Sequence, residues 1–330
     1  METINSSLST KKRIDYIDAI KGVVIFGVVW VHTSHPDWLT PILVNSIFFF
    51  LSGIFFKRKP INTFILDKTK SLLIPFSFFY LISYPFRMIV HAWDFRTLET
   101  FDWMCIFDVF TFSAKTDYMF VNVPIWFLIC LFVIQILYYF ISYLNKWVIG
   151  IIALLCILFK DIFLSFPSLF MINAALYYTS FFALGNLFGR PLIEKLKQHN
   201  FQKSSVLLSV LLFATFFLSL PTHNKVLYDI LLHFGLFAVF FVLMSIGSLL
   251  NEKKSVALLR FYGENSLIIL GIHIIPLIFF GRIAYAILGE FSATYGFLIS
   301  LGVMAIMYVV ILFCNKYIPM LVGKKVHVRA

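Results

Sequence analysis

The first apolar segment of the chain carries charged and titratable side chains at spacings suited to group-transfer chemistry. Asp15, Asp18 and Lys21 follow one another at intervals of three residues, so on a helix they lie on one face. His32 comes eleven residues after Lys21, about three helical turns further, which puts it on the same face roughly 16 Å along the axis. A lysine holds a phosphate or a carboxylate as a point charge, and a histidine takes and returns the proton of a hydroxyl nucleophile near neutral pH.

Each of these residues also has a purely structural interpretation. Lys21 can extend its ammonium group to the membrane interface and pair with Asp18, and His32 can be a packed histidine bonded to a neighbouring helix. The sequence leaves both interpretations of Lys21 open. It favours a functional His32, because this histidine shares its face with a charged cluster inside an apolar segment, where charge is costly.

Two further patterns around His32 carry less weight. His32 and Asp37 form the H-x4-D spacing seen in glycerolipid acyltransferases, but Pro36 ends a helix between them, so a catalytic Asp37 is the weaker interpretation. His32 and His35 supply at most half of a metal site. No third ligand is evident in the sequence, so no metal is expected.

The elements that must hold these residues are membrane-spanning helices. Of the 330 residues, 61% are hydrophobic and only 13% charged, and the mean hydropathy is +0.92. This composition excludes soluble, disordered, fibrous and disulfide-stapled secreted proteins. At about 20 residues per span, the chain predicts an all-α, polytopic membrane helix bundle of about ten transmembrane helices. We expect one integral-membrane domain over residues 1–330, with 1–13 as a short cytoplasmic segment.

The distribution of basic residues predicts the orientation of these spans. After a first span around Val23–Val31, the predicted spans are 38–56, 71–90, 120–142, 147–165, 172–189, 204–220, 226–250, 265–283 and 295–315. With a cytoplasmic N-terminus, the inner connections hold 20 of the 27 Lys and Arg residues and the outer ones only six. This asymmetry puts both termini in the cytoplasm of a multi-pass protein of the plasma or inner membrane. The small basic clusters fit anionic membrane lipid as a partner and not nucleic acid.

Five motifs in order carry a resemblance to a known family. The chain opens with a run from Arg13 to His32 that includes Lys21 and Gly22. The later motifs are FFFLSG at 48–53, the basic stretch 68–70 leading into LLIPF, PIWFL at 124–128 and GENSLIILGIH at 263–273. In these residues the chain resembles acyltransferase family 3, the integral-membrane O-acyltransferases of surface sugars, and particularly its fucose 4-O-acetylase-like subgroup. The resemblance extends over nearly the whole chain.

The resemblance implies a mechanism for the first span. Acetyl-CoA, or another acyl-CoA, serves as the donor and binds from the cytoplasmic side, with Lys21 in the place of a family arginine and Asp18 beside it. His32 matches the essential histidine, which acts as general base on the acceptor hydroxyl or passes the acyl group on. Lys68 and Lys70 stand where the family has a basic pair; like Lys21 they keep the charge and lose the bidentate fork of arginine.

The remaining motif residues match positions with architectural or substrate-positioning roles. For Trp126 the sequence leaves open whether the indole is packed at the interface or stacks on a sugar or adenine ring. His273 is either a satisfied core histidine or a second group of the site. Ser52 and its neighbour Gly53 also suit close helix packing. Asn265 and Ser266 complete the set of candidate binding residues.

A transporter or flippase for a lipid-linked sugar is the alternative function, because the same histidine and lysine would then serve as a proton relay. Inverted repeats would favour it, and the sequence shows no convincing internal symmetry. A glycan polymerase would need a larger outer loop than the one of about 30 residues between His91 and Asn122. The resemblance implies a carbohydrate or glycolipid as the acceptor of an acyl group, and the sequence itself fixes neither the identity of the acceptor nor the oligomeric state.

Overall fold

Helices are the only regular elements in the part of the chain that the structure, a computed structural model, describes. That part comprises residues 14–35, 45–107, 121–166, 169–219, 225–250, 254–289 and 292–324, and no β-strand occurs in it, so the all-α prediction is confirmed. The helices are α1 (Asp15–Val31), α2 (Asn45–Ile54), α3 (Ile61–Phe95), α4 (Trp126–Ile141), α5 (Lys146–Leu158), α6 (Lys160–Leu164), α7 (Ile172–Leu196), α8 (His199–Ser219), α9 (Lys225–Leu249), α10 (Ala257–Glu264), α11 (Ser266–Ile272), α12 (Ile274–Leu288) and α13 (Ala293–Tyr317).

Several of these helices have the length and composition of membrane spans. Three described stretches, Ile61–Phe95, Val123–Ile141 and Ala293–Tyr317, are long and apolar enough to cross a membrane. The pair α11 and α12 is bent by 52° and makes a fourth if it is counted as one broken span. Large apolar side chains are exposed on many of the helices, as expected of surfaces that face lipid. The count of ten spans and the cytoplasmic position of both termini stay predictions.

The helix α3 begins earlier than its predicted span. We expected residues 57–70 to be a connection and the span to begin at 71, but the helix begins at Ile61 and contains the basic residues Lys68 and Lys70. Lysine is a good helix former, so basic residues do not end the element. Thr69–Leu73 is a π-helical stretch; it comes just before Pro75, which has no N–H for a regular helical bond.

Reciprocal glycine contacts fix α1 against α10. A Cβ atom on Gly22 would collide with the backbone carbonyl of Leu259, and one on Gly263 would collide with the backbone carbonyl of Asp18. Glycine therefore lets the two backbones touch at both points, the small-residue packing common among membrane helices. This contact holds the charged end of the first helix in place.

A second pair of glycines joins α2 to α7 in the same way. A Cβ atom on Gly53 would meet the carbonyl of Phe182, and one on Gly185 would meet the carbonyl of Phe50. The close packing suggested for the Ser52–Gly53 motif is therefore present at Gly53. Around these crossings lies a continuous buried core of aliphatic and aromatic side chains from α1, α2, α3, α4, α7, α9, α11 and α13.

Candidate active site

Two histidines meet at the end of α1. His32 directly follows the last residue of this helix, and His273 lies at the bend between α11 and α12. The centroids of their rings are 5.4 Å apart. His273 is fully buried. The sequence analysis gives the two histidines as separate candidates, and in the structure their rings are neighbours.

Hydrogen bonding fixes the orientation of the His273 ring. Its Nδ1 lies 2.8 Å from the carbonyl oxygen of Ile269. Because a carbonyl only accepts, Nδ1 carries the proton and donates. The other ring nitrogen, Nε2, is buried and has no hydrogen-bond partner among the described residues. His273 therefore holds an unused proton acceptor in the interior of the bundle, beside His32.

The backbone after α1 is held by its own local bonds. The Thr33 hydroxyl donates to the carbonyl of Trp30 at 2.7 Å, and the Thr33 N–H donates to the same oxygen at 3.0 Å. Helix α13 approaches this turn closely, because a Cβ on Gly296 would collide with the carbonyl of Ser34. These contacts position His32 at the helix end.

One face of α1 connects the histidine pair to a central cavity. Lys21, Ile25 and Val28 line this cavity, and His32 continues the same spacing one turn further along the helix. The predicted shared face is therefore present in the helix. The central cavity has a volume of about 310 Å³, and its polar lining consists of Lys21, Asn45, Ser52, Lys68, Gln135 and Ser266.

A second cavity, rich in lysine, adjoins the central one at Lys68, which lines both. It has a volume of about 740 Å³, and we call it the lysine cavity. Asp67 also lines it and pairs with one of its lysines, Lys59. An excess of ammonium groups around an open volume suits a ligand that carries phosphate groups. The lysines of its lining are Lys57, Lys59, Lys68, Lys70 and Lys324.

The structure is compatible with both roles that the sequence leaves open for Lys21, an ion pair with Asp18 and contact with a ligand in the central cavity. Its ammonium group lies 3.3 Å from the carboxylate of Asp18 and 5.5 Å from the ring centroid of Phe55. Asp18 is buried, with 4% of its surface exposed, so this pair neutralises a charge in the interior. Lys21 nevertheless lines the central cavity. Asp15 pairs instead with Arg260 of α10 at 2.8 Å.

Trp126 and Asn265 line neither the central cavity nor the lysine cavity, and each has packing or hydrogen-bond partners in the structure. Trp126 contacts an aromatic cluster, with its ring centroid 6.5 Å from that of Phe49 and 6.0 Å from that of Tyr178. Asn265 is buried and accepts hydrogen bonds from Asn315 and Lys324. Its amide joins α10 and α11 to α13 and to the segment after it, which is an architectural role.

Several residues of these sites were missed by the sequence analysis. Gln135 is buried in α4 and lines the central cavity; its signal is that it is the one amide in an otherwise apolar helix. Asn122 is buried and donates to Ser83 and to the carbonyl of Gly271, each at 2.8 Å. No local pattern singles out Asn122. The weaker candidate Asp37 lies outside the described residues.

A further cavity opens beside His32, and we call it the outer cavity because the predicted orientation of the helices puts this end of α3 away from the cytoplasm. It has a volume of about 610 Å³. Its polar lining was not anticipated from the sequence, apart from His32 itself. The side chains that line it are His32, Thr33, Ser34, Trp93, Arg282 and Tyr285, together with apolar residues of α12 and α13.

Comparison with known proteins adds one finding to this geometry. The profile of a known family, described as Acyltransferase domain, matches residues 14–314. This range is most of the chain and includes the histidine pair, the central cavity and the lining of the outer cavity. No curated protein and no solved structure matches the chain.

Proposed function

The chain belongs to the acyltransferase family whose profile it matches, and we propose that it is a membrane-embedded O-acyltransferase that moves an acetyl group from acetyl-CoA to a carbohydrate hydroxyl. Membership of the family and the apolar helices make it an acyltransferase of a membrane. The proposal adds the donor, the acceptor and the residues that act on each.

The observation that carries the proposal is the pair of histidine rings 5.4 Å apart, at the end of a helix face that begins at Lys21. A sugar hydroxyl is a poor nucleophile at neutral pH, so transfer from a thioester needs a base within hydrogen-bond reach. His32 is that base in our proposal, because it lines an open cavity whereas His273 is fully buried.

In the proposed reaction one proton moves in two steps, first to His32 and then to the leaving thiolate. The acceptor oxygen attacks the thioester carbonyl carbon, a new C–O bond forms, and the hydroxyl proton passes to His32. The C–S bond then breaks, and the proton on His32 passes to the departing thiolate. The buried Nε2 of His273 supports this step, because an acceptor next to the imidazolium stabilises its additional proton.

Lys21, Lys68 and Lys70 contact the donor in this proposal. Lys68 lines both the lysine cavity and the central cavity, a route that suits a long donor with phosphates at one end and a thioester at the other. Asp18 orients Lys21 through their ion pair. Lysine at these positions keeps the charge that a phosphate requires, without the fixed geometry of arginine.

Ser52 and Ser266 also line the central cavity, and we assign them to positioning the donor. We assign Trp126 and Asn265 to the architecture around it. The acceptor in this proposal is a cell-surface or lipid-linked carbohydrate, as the resemblance to the fucose 4-O-acetylase-like subgroup implies. The proposed location is the plasma or inner membrane, with ten spans and both termini in the cytoplasm.

The experiment uses the purified full chain in lipid nanodiscs with radiolabelled acetyl-CoA and a glycolipid extract of the expressing cells. We expect label to move to the glycolipid and free CoA to be released in equal amount. His32→Ala, matched for protein amount, should abolish both. A transporter would consume no acetyl-CoA, and that result would overturn the proposal.

A further inference from the structure

The outer cavity lies far from the lysine cavity along α3. Lys68, near the start of this helix, lines the lysine cavity, and Trp93, near its end, lines the outer cavity. The two residues are 25 positions apart, which corresponds to about 38 Å along a regular α-helix. His32 lines the outer cavity and Lys21 does not. The two reactants of a transfer therefore have separate cavities available, one that His32 lines and one at the lysine-rich end of α3.

Two side chains in the wall of the outer cavity, Trp93 and Arg282, contact each other, and Arg282 is also paired with Asp94 beside the wall. Arg282 pairs with Asp94 through both of its terminal nitrogens, one of them at 2.7 Å. The guanidinium carbon of Arg282 also lies 5.7 Å from the ring centroid of Trp93. The indole is in turn 6.4 Å from Phe279. These contacts hold an exposed aromatic face next to an oriented guanidinium group.

This arrangement matches the chemistry of a sugar ring. A pyranose has an apolar face of C–H bonds that packs on an aromatic surface, and a rim of hydroxyls that need hydrogen-bond partners. The guanidinium of Arg282 has N–H donors left after its two bonds to Asp94. The indole of Trp93 supplies the flat surface, and it has 45% of its surface exposed.

The ion pair in this wall favours a hydroxylated ligand over an anionic lipid headgroup. Asp94 pairs with Arg282, so a phosphate that approaches this guanidinium also meets a carboxylate, although Arg87 lies within electrostatic range of the same pair. A neutral polyhydroxy ligand meets no such repulsion, because hydroxyls donate to carboxylates and accept from guanidinium groups. The lysine cavity, with its excess of cations, has the opposite character.

We propose that the outer cavity is the acceptor subsite, in which Trp93 stacks on a sugar ring and Arg282, held by Asp94, binds its hydroxyls so that one of them faces His32. This inference rests on the proposed acyl transfer and names the residues that select the acceptor. Trp93 and Arg282 are binding residues, and Asp94 is a positioning residue that acts through Arg282.

The test compares initial rates of acetyl transfer to a glycolipid extract for four proteins in nanodiscs. Trp93→Ala should raise the KM for the glycolipid about tenfold, with the KM for acetyl-CoA unchanged. Trp93→Phe keeps an aromatic face and should restore most of the affinity. Trp147→Ala is the matched control, because Trp147 is an exposed tryptophan of α5 and lines none of the three cavities of the proposed route.

Asp94→Asn gives a second, independent measurement. It frees the guanidinium while keeping the side-chain shape, so it should raise the KM for the neutral glycolipid and leave the KM for acetyl-CoA as it was. An unchanged glycolipid KM in both Trp93→Ala and Asp94→Asn, while the unaltered protein transfers acetyl groups, would overturn the subsite alone. An unaltered protein that transfers nothing would overturn the proposed function, and the subsite with it.

Discussion

The rings of His32 and His273 lie 5.4 Å apart, although the two residues come from opposite ends of the chain. One is the residue after the first described helix, and the other lies in the bend between α11 and α12. The end of α1, the bend and the outer cavity therefore share one location. Alteration of any one of the three is expected to affect the other two.

The first prediction concerns the histidine pair. His32→Ala should lower the rate of acetyl transfer by about 10²- to 10⁴-fold, the usual cost of a lost general base. His273→Ala should have a smaller effect, because in our proposal it acts through His32. Both are measured as labelled product formed per amount of folded protein.

The control for the histidine pair is His199→Ala, a histidine at the start of α8 that belongs to none of the family-like motifs. This variant should transfer acetyl groups at the normal rate. Near-normal transfer by a well-expressed His32→Ala protein would refute the assignment and move the base to His273.

The second prediction separates donor binding from charge burial at Lys21. Lys21→Ala should raise the KM for acetyl-CoA about tenfold to a hundredfold, the worth of a charged hydrogen bond. Lys21→Arg should retain most of the affinity, because it keeps the charge. The measurement is the dependence of the initial rate on acetyl-CoA concentration.

Removal of Lys21 also leaves the buried carboxylate of Asp18 without this partner. The double variant Lys21→Ala with Asp18→Asn removes that charge as well. It should regain thermal stability and still bind the donor weakly. Recovery of donor affinity in the double variant would show that Lys21 serves only to neutralise Asp18.

The third prediction concerns the glycine contact between α1 and α10. Gly263→Val introduces a side chain where even a Cβ atom would collide with the backbone of Asp18. We expect a loss of at least about 1–3 kcal/mol of stability, seen as a lower midpoint of thermal unfolding in detergent. Gly302→Val on α13 is the matched control, because its Cβ position has open space. Equal midpoints for the two variants would contradict this packing.

The fourth prediction concerns orientation in the membrane. After replacement of the four native cysteines, a cysteine at the exposed position Arg58 should react with a membrane-impermeant maleimide only in inverted vesicles. A cysteine at the exposed position Glu99 should react in intact cells. The asymmetry of 20 basic residues against six is the reason for this expectation. Labelling of position 58 in intact cells would contradict this prediction and show that the orientation is the opposite one.

The helical character and the face of α1 were accessible from the sequence. Lys21, Ile25 and Val28 line one cavity because helical periodicity is the same in every helix, so spacing alone predicts which residues share a face. Spacing says nothing about where a second helix crosses. The meeting of His32 with His273, and of Trp93 with Arg282, depends on which helices are neighbours, and no local pattern encodes that.

One local expectation differs from the structure, and one stays open, each for a physical reason. The lysines predict a connection before residue 71, yet Lys68 and Lys70 lie within α3, since a long side chain can reach polar surroundings from inside a helix. For Asn265 the sequence leaves an architectural and a substrate-positioning role open, and in the structure its side-chain oxygen accepts hydrogen bonds from Asn315 and Lys324. A sequence shows that a polar residue is present and does not show whether its bonds are already used.

The 52° bend between α11 and α12 sets the position of the His273 ring relative to His32. Pro276, one turn after His273, has no N–H to offer the carbonyl of Ile272, which favours the bend at this point. The His273 ring is tethered to the carbonyl of Ile269 on the same helix, so its direction follows the helix axis. An engineer who straightens this helix, for instance with Pro276→Ala, would rotate the imidazole away from His32 without altering either histidine. Redesign of the enzyme for other acceptors therefore has to keep the bend and vary the far wall of the outer cavity.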